Sequence, residues 1–123
     1  MYIDQLGIWV KDLERMKDFY EKYFLSQAVA KVHNPTEDIH SYLLAFPKGP
    51  RLELKQQTST AENLNNSQQV YLGMIQFSIS VGSEEKVKGL TEWLRKDGYT
   101  VVAEPKSSGS GNFESEVFDP ENN

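Results

Sequence analysis

The chain carries one pattern twice, and that repetition narrows its possible folds more than any other feature. Leu6, Ile8 and Val10 alternate with Gln5, Gly7 and Trp9, the period-two signature of a strand with two different faces. Asp12 follows as an N-cap, with Glu14 in the first turn, where the helix dipole favours negative charge. Leu13, Met16, Phe19, Tyr20, Tyr23 and Phe24 then fall on one helical stripe. Strand candidates follow at Ala28 to Val32, Ser41 to Phe46 and Arg51 to Lys55, the last two joined by a Pro47-Lys48-Gly49-Pro50 turn. An almost wholly polar stretch comes next. Then the pattern restarts.

In the second copy Ile75, Phe77, Ile79 and Val81 alternate with Met74, Gln76, Ser78 and Ser80. Ser83 is its N-cap, Val87, Leu90, Trp93 and Leu94 its helical stripe, and Gly98 its stop signal. Strands are expected at Tyr99 to Glu104 and Phe113 to Phe118. A constant offset of 71 residues superposes Leu6 on Phe77, Ile8 on Ile79, Val10 on Val81, Asp12 on Ser83, Met16 on Val87, Phe19 on Leu90 and Tyr23 on Leu94. Any two strand-helix units share some likeness, but one register held through strand, cap and helix favours duplication. The expectation is an α+β fold: two tandem β-α-β-β-β units forming a cupped mixed sheet, with helices on the outer face. All of 1–123 forms one domain in this reading, with unit one at 1–56, a linker at 57–70 and unit two at 71–123. At the same offset Glu53 maps one place past Asn123, so the last strand of unit two is expected to be missing.

Composition excludes several classes of function. The net charge of −5 argues against nucleic acid, whose binding draws on basic residues. No apolar run approaches the roughly 20 residues of a membrane span. The N-terminus lacks a basic leader and reads as strand, not as signal peptide. The chain has no cysteine, which removes disulfides and thiolate chemistry and suits the cytoplasm.

Alternation also sorts the faces. If Leu6, Ile8, Leu52 and Leu54 face the helix, Gln5, Gly7, Trp9, Arg51, Glu53 and Lys55 face the other way, as do Met74, Gln76, Ser78 and Ser80. Gln5, Glu53 and Gln76 would then converge on a concave surface beside Trp9, a plausible small-molecule pocket with Met74 and Ser78 in its lining. Plainer readings stand beside this one. The two amides can bond each other or simply line the pocket, Glu53 can pair with Arg51 or Lys55, and Trp9 can merely fill the cup. His33 and His40 flank a turn-rich loop and read as solvated. The Ser107 to Asn112 stretch resembles a flexible lid, and Glu114 and Glu116 read as solvated.

These stretches resemble the vicinal-oxygen-chelate superfamily, which holds glyoxalase I, bleomycin-resistance proteins and extradiol dioxygenases. The resemblance rests on Gln5 to Arg15 with Phe19-Tyr20, Arg51 to Leu54, Gln76 to Val81 and Phe118 to Asn123, in that order along the chain. Segment His33 to Phe46 is similar to the lactoylglutathione lyase branch. The resemblance implies a divalent metal, zinc or nickel, held by Gln5, Glu53, Gln76 and a carboxylate past Asn123, with Glu53 or that fourth residue as the catalytic base. It implies Lewis-acid stabilisation of an enediolate while a ligand carboxylate shuttles the proton. Gln76 departs from the pattern, which has His there, and a neutral amide is a weak ligand. Two functions follow: a metal-dependent isomerase or lyase of the lactoylglutathione lyase type, or a metal-free protein that sequesters a small molecule as bleomycin-resistance proteins do. The resemblance also implies a homodimer.

Overall fold

The computed structural model describes residues 1–64, 68–69, 72–74 and 76–123. They fall into two compact units, Met1–Glu62 and Asn63–Asn123. Unit one contains β1 (Gln5–Trp9), α1 (Leu13–Phe24), β2 (Gln27–Asn34), β3 (Ile39–Ala45) and β4 (Arg51–Gln56). Its four strands make one mixed sheet in the order β1-β4-β3-β2. β1 runs parallel to β4, and β4, β3 and β2 are antiparallel neighbours.

The first helix forms where the sequence places it. The Asp12 carboxylate accepts from the backbone N–H of Arg15 at 3.0 Å, meeting one of the donors that a helix start leaves unpaired. Leu25, in left-handed conformation at φ 56°, ends the helix. Leu13, Met16, Phe19, Tyr20 and Tyr23 are buried, and Phe24 is half-buried at the edge of the stripe. They meet Leu44, Leu52 and Leu54, all at 1% exposure or less. The strand register explains this layer: Leu6 lies beside Leu52 and Ile8 beside Leu54, while Leu44 and Tyr42 face Leu52 and Leu54 from the other side. One face of the sheet is therefore packed beneath α1.

A polar tie crosses the edge of that layer. Glu14 on α1 accepts from Lys31 Nζ at 2.9 Å and from the Tyr42 hydroxyl at 2.8 Å. The lysine bond, then the tyrosine bond, hold the Glu14 carboxyl below its ordinary value of 4.5. Bonds to Tyr42 and Glu14 raise Lys31.

Unit two contains α2 (Glu84–Lys96), β5 (Val101–Ser107) and β6 (Phe113–Val117), with β5 and β6 antiparallel. Ser83 caps α2 by accepting from Lys86 N–H at 3.3 Å. Gly98, at φ 91°, stops it: its N–H reaches Arg95 C=O at 3.0 Å and Tyr99 N–H reaches Leu94 C=O at 3.0 Å, the paired bonds of a Schellman motif. Arg95 holds both oxygens of Glu104 on β5, at 2.9 and 2.7 Å. The Asp119 carboxylate, nearly buried, closes the Phe118 to Asn123 motif by accepting from the backbone of Glu121 and Asn123.

Two expectations for unit two fail. Residues 76–81 form no strand, although Phe77, Ile79 and Val81 stay more buried than Gln76, Ser78 and Ser80; Ile75 lies outside the described residues. A strand needs a ladder partner. In unit one β1 has β4, and no counterpart of β4 occurs among the described residues of unit two. Trp93, expected on the buried stripe, is 44% exposed, and Thr91 takes the inner position with Leu94. The Thr91 hydroxyl meets Val87 C=O and Ser115 Oγ, each at 2.7 Å, so its burial leaves no polar atom unpaired. Of the polar linker, 57–64 holds no helix or strand, and 65–67 and 70 lie outside the described residues. No helix among the described residues is long and apolar enough to cross a membrane.

Leu54 is fully buried, so Leu54→Ala should destabilise the protein by about 2–5 kcal/mol in urea unfolding, whereas Val32→Thr, at an exposed strand position, should cost about 0.5 kcal/mol or less. A carboxyl held below its unfolded value contributes stability that is complete above that value and is lost as pH falls through the lowered one. Urea midpoints measured downward from pH 4.5 should therefore fall less steeply in Glu14→Gln than in the wild type.

Candidate active site

The sheet face opposite α1 is built by the alternate residues of β1 and β4. The parallel register sets Gln5 beside Arg51, Gly7 beside Glu53 and Trp9 beside Lys55. These six side-chain positions share one face because their neighbours Leu6, Ile8, Leu52 and Leu54 occupy the other.

Within this row the charges are sorted. Arg51 pairs with Asp4, whose backbone C=O also receives the Arg51 N–H at 3.0 Å. The Lys55 ammonium lies 5.2 Å from the centre of the Trp9 ring, a cation–π distance. With both cations engaged elsewhere, Glu53 takes Gln5 as its partner among the described residues: Gln5 Nε2 donates to Glu53 Oε2 at 3.2 Å. The plainer alternative, an ion pair of Glu53 with Arg51 or Lys55, gives way to an amide contact. Gly7 completes the arrangement. A Cβ built on it would sit 4.0 Å from Glu53 Oε2, so position 7 adds no side chain beside the carboxylate.

Sequence reasoning brought Gln5, Glu53 and Trp9 to one face, and the structure places them there. Trp9 is 44% exposed and so offers its ring as a surface. Met74, Gln76 and Ser78 belong to unit two, where all three are exposed at alternate positions. The contribution of Gly7 and the Lys55–Trp9 pairing went unread, because both depend on the parallel register.

The donor chemistry of the Gln5–Glu53 pair suits a divalent ion in part. Two oxygens bound to one ion at about 2.0–2.2 Å lie roughly 3–3.5 Å apart, close to the Gln5–Glu53 separation. Rotating the amide by half a turn would present its oxygen instead of its nitrogen. One carboxylate and one amide are two ligands, and further donors are needed for a complete shell.

The other titratable cluster lies on the opposite face. His33 and His40 were expected in a solvated loop; they stand on β2 and β3 as a cross-strand pair, with stacked rings. Their equal distance from the turn between them was the signal that could have revealed the pairing.

Comparison with known proteins places this architecture. Residues 2–123 match the Glyoxalase/Bleomycin resistance protein/Dioxygenase superfamily. No curated protein sequence matches the chain significantly. Among solved structures, a glyoxylase/bleomycin resistance protein/dioxygenase domain from Frankia sp. EAN1pec is 17% identical, with a TM-score of 0.82 over 99% of this chain and 91% of that one. A glyoxalase family protein from Enterococcus faecalis is 18% identical, with a TM-score of 0.76 over 98% and 90% of the two chains. The trypanothione-dependent glyoxalase I of Leishmania major is 19% identical, with a TM-score of 0.68 over 99% and 81%. At these identities the likeness is one of fold, and the sequence match supplies the family. The chain belongs to the glyoxalase/bleomycin resistance protein/dioxygenase superfamily.

Proposed function

We propose that the protein is a glyoxalase-like enzyme, a metal-dependent isomerase or lyase acting on a small carbonyl or thiol-adduct substrate, with Glu53 as its proton carrier. The observation that carries this reading is the Gln5–Glu53 pair: two oxygen-bearing side chains in contact on the sheet face opposite α1, with no side chain at Gly7 beside the carboxylate. Gln5 and Glu53 are the proposed ligands of a zinc or nickel ion. Such an ion, when bound, would polarise the oxygens of the substrate as a Lewis acid.

The residues of this chain would do the rest. Glu53 takes a proton from the carbon that bears the hydroxyl of a hemithioacetal and returns it to the neighbouring carbonyl carbon, while the hydroxyl proton passes to the former carbonyl oxygen. The product is an isomer, so no oxidant or co-reactant is consumed. The exposed Trp9 ring, on the same face of the sheet as Glu53, offers surface to the substrate. The same reading takes the protein to be cytoplasmic and a homodimer; the outer edges of β1 and β2 pair with no strand among the described residues and are open to association.

A second reading has its own observation. Gln76 supplies an amide where the family pattern has an imidazole, and the Gln5 amide already has a hydrogen-bond partner in Glu53. A metal-free pocket that sequesters a small molecule beside Trp9 and Lys55 would need neither residue as a ligand.

Turnover of the methylglyoxal–glutathione hemithioacetal with added nickel or zinc separates the two. The enzymatic reading expects metal-dependent turnover that Glu53→Gln lowers by about 100-fold or more, with KM little changed. No turnover with any divalent ion would overturn it. Elemental analysis of the same samples should show metal retained by the wild type and reduced in Glu53→Gln.

A further inference from the structure

The β2–β3 hairpin brings together the only two histidines of the chain. β2 ends at Asn34 and β3 begins at Ile39, paired across a four-residue turn. The Asn34 side-chain oxygen accepts from the backbone N–H groups of Thr36 and Glu37 at 3.1 and 3.4 Å, shaping the turn, and its amide donates to Glu37 at 2.9 Å. One step further from the tip, His33 pairs directly with His40. Their rings lie 4.0 Å apart and nearly parallel, at 7°. Asp38 adopts left-handed backbone at φ 53°, a conformation that Asp tolerates better than most residues. Its carboxylate lies 4.0 Å from His33 Nε2 and 3.8 Å from His40 Nε2. One donor atom from each of the three residues fits within 4.8 Å of the others.

This cluster is separate from the Gln5–Glu53 pair. His40 lies beside Gln56, on the side of the sheet that carries Tyr42 and Leu54, whereas Glu53 stands on the other side. It also holds the nitrogen ligands that the Gln5–Glu53 pair lacks. Two imidazoles and a carboxylate are the donor types that zinc and its first-row neighbours take in sites with open positions.

We propose that His33, Asp38 and His40 form a binding site for one divalent transition-metal ion of the zinc and nickel class, with water completing its shell. Metal bonds of about 2.0–2.2 Å in a tetrahedral shell set ligand atoms roughly 3.3–3.5 Å apart, so the two His–Asp gaps must close by about half an ångström. The stacked rings must also fan apart, because each nitrogen lone pair lies in its own ring plane. Asp38 is largely exposed and the two imidazoles are about half exposed, so solvent borders these movements on one side. The bound ion would clip β2 to β3 near the hairpin tip. It follows that metal found on this protein has two possible addresses, and stoichiometry alone does not report on the Gln5–Glu53 site.

Calorimetric titration of the full metal-free chain with zinc chloride at neutral pH, repeated with nickel chloride, tests the site. Loss of an outer partner of a metal ligand costs about 10–100-fold in affinity, so loss of an imidazole ligand should cost at least about tenfold. His33→Gln and His40→Gln should each show that loss, Asp38→Asn should weaken binding, and Glu53→Gln should leave this site intact. In a Glu53→Gln background, which removes the other candidate ligand, zinc should shift the ring-proton resonances of both histidines and raise the Tm, while leaving the Tm of the Glu53→Gln/His33→Gln/His40→Gln triple variant unchanged. The proposal is overturned if Glu53→Gln binds neither ion, or if the triple variant binds zinc as tightly as Glu53→Gln. Equal Tm values for metal-free Glu53→Gln and the triple variant would separate loss of a ligand from loss of the fold.

Discussion

The parallel ladder between β1 and β4 is the constraint on which unit one rests. Parallel strands cannot be joined by a tight hairpin, so the chain between them must cross over, and α1, β2 and β3 occupy that crossover. The register of this ladder decides both faces together. It stacks Leu6 and Ile8 against Leu52 and Leu54 under the helix, and thereby sets Gly7 beside Glu53 and Gln5 within bonding reach of it. A slip of one residue in either strand would turn its leucines to solvent and its polar row into the core. The apolar layer therefore positions the polar one, although no core side chain takes part in its chemistry.

How far the sequence revealed this depends on the range of each interaction. α1 was legible because its signals are local: Asp12 caps, Glu14 suits the dipole, and the stripe from Leu13 to Tyr23 is the buried face. α2 was legible at both ends for the same reason, through Ser83 and Gly98. Its interior was not. Between Thr91 and Trp93, hydrophobicity points to the tryptophan, but the threonine hydroxyl bonds within its own helix and to Ser115, which frees it to be buried. Residues 76–81 show the limit of alternation: a period of two reports two faces and says nothing about whether a partner strand lies alongside.

The candidate site divides along the same line. That Gln5, Trp9 and Glu53 share a face follows from counting by twos. That Glu53 bonds Gln5, while Arg51 goes to Asp4 and Lys55 to the Trp9 ring, follows from registers between strands some 45 positions apart, which no local pattern encodes. The histidine pair escaped for a related reason. Seven positions separate His33 from His40, and only the conformation of the intervening turn makes them neighbours.

The two-sided build of this sheet has a consequence for how such a chain can change over generations. Folding is guarded by one set of residues, Leu44, Leu52, Leu54 and the inner stripe of α1, while the exposed row from Gln5 to Trp9 and from Arg51 to Lys55 contributes little burial. Substitutions on the two sides are expected to act nearly independently wherever they share no partner. Drift can therefore rewrite the row on the face opposite α1 without passing through unfolded intermediates. A scaffold partitioned in this way can shed one chemistry and acquire another while its architecture stays put.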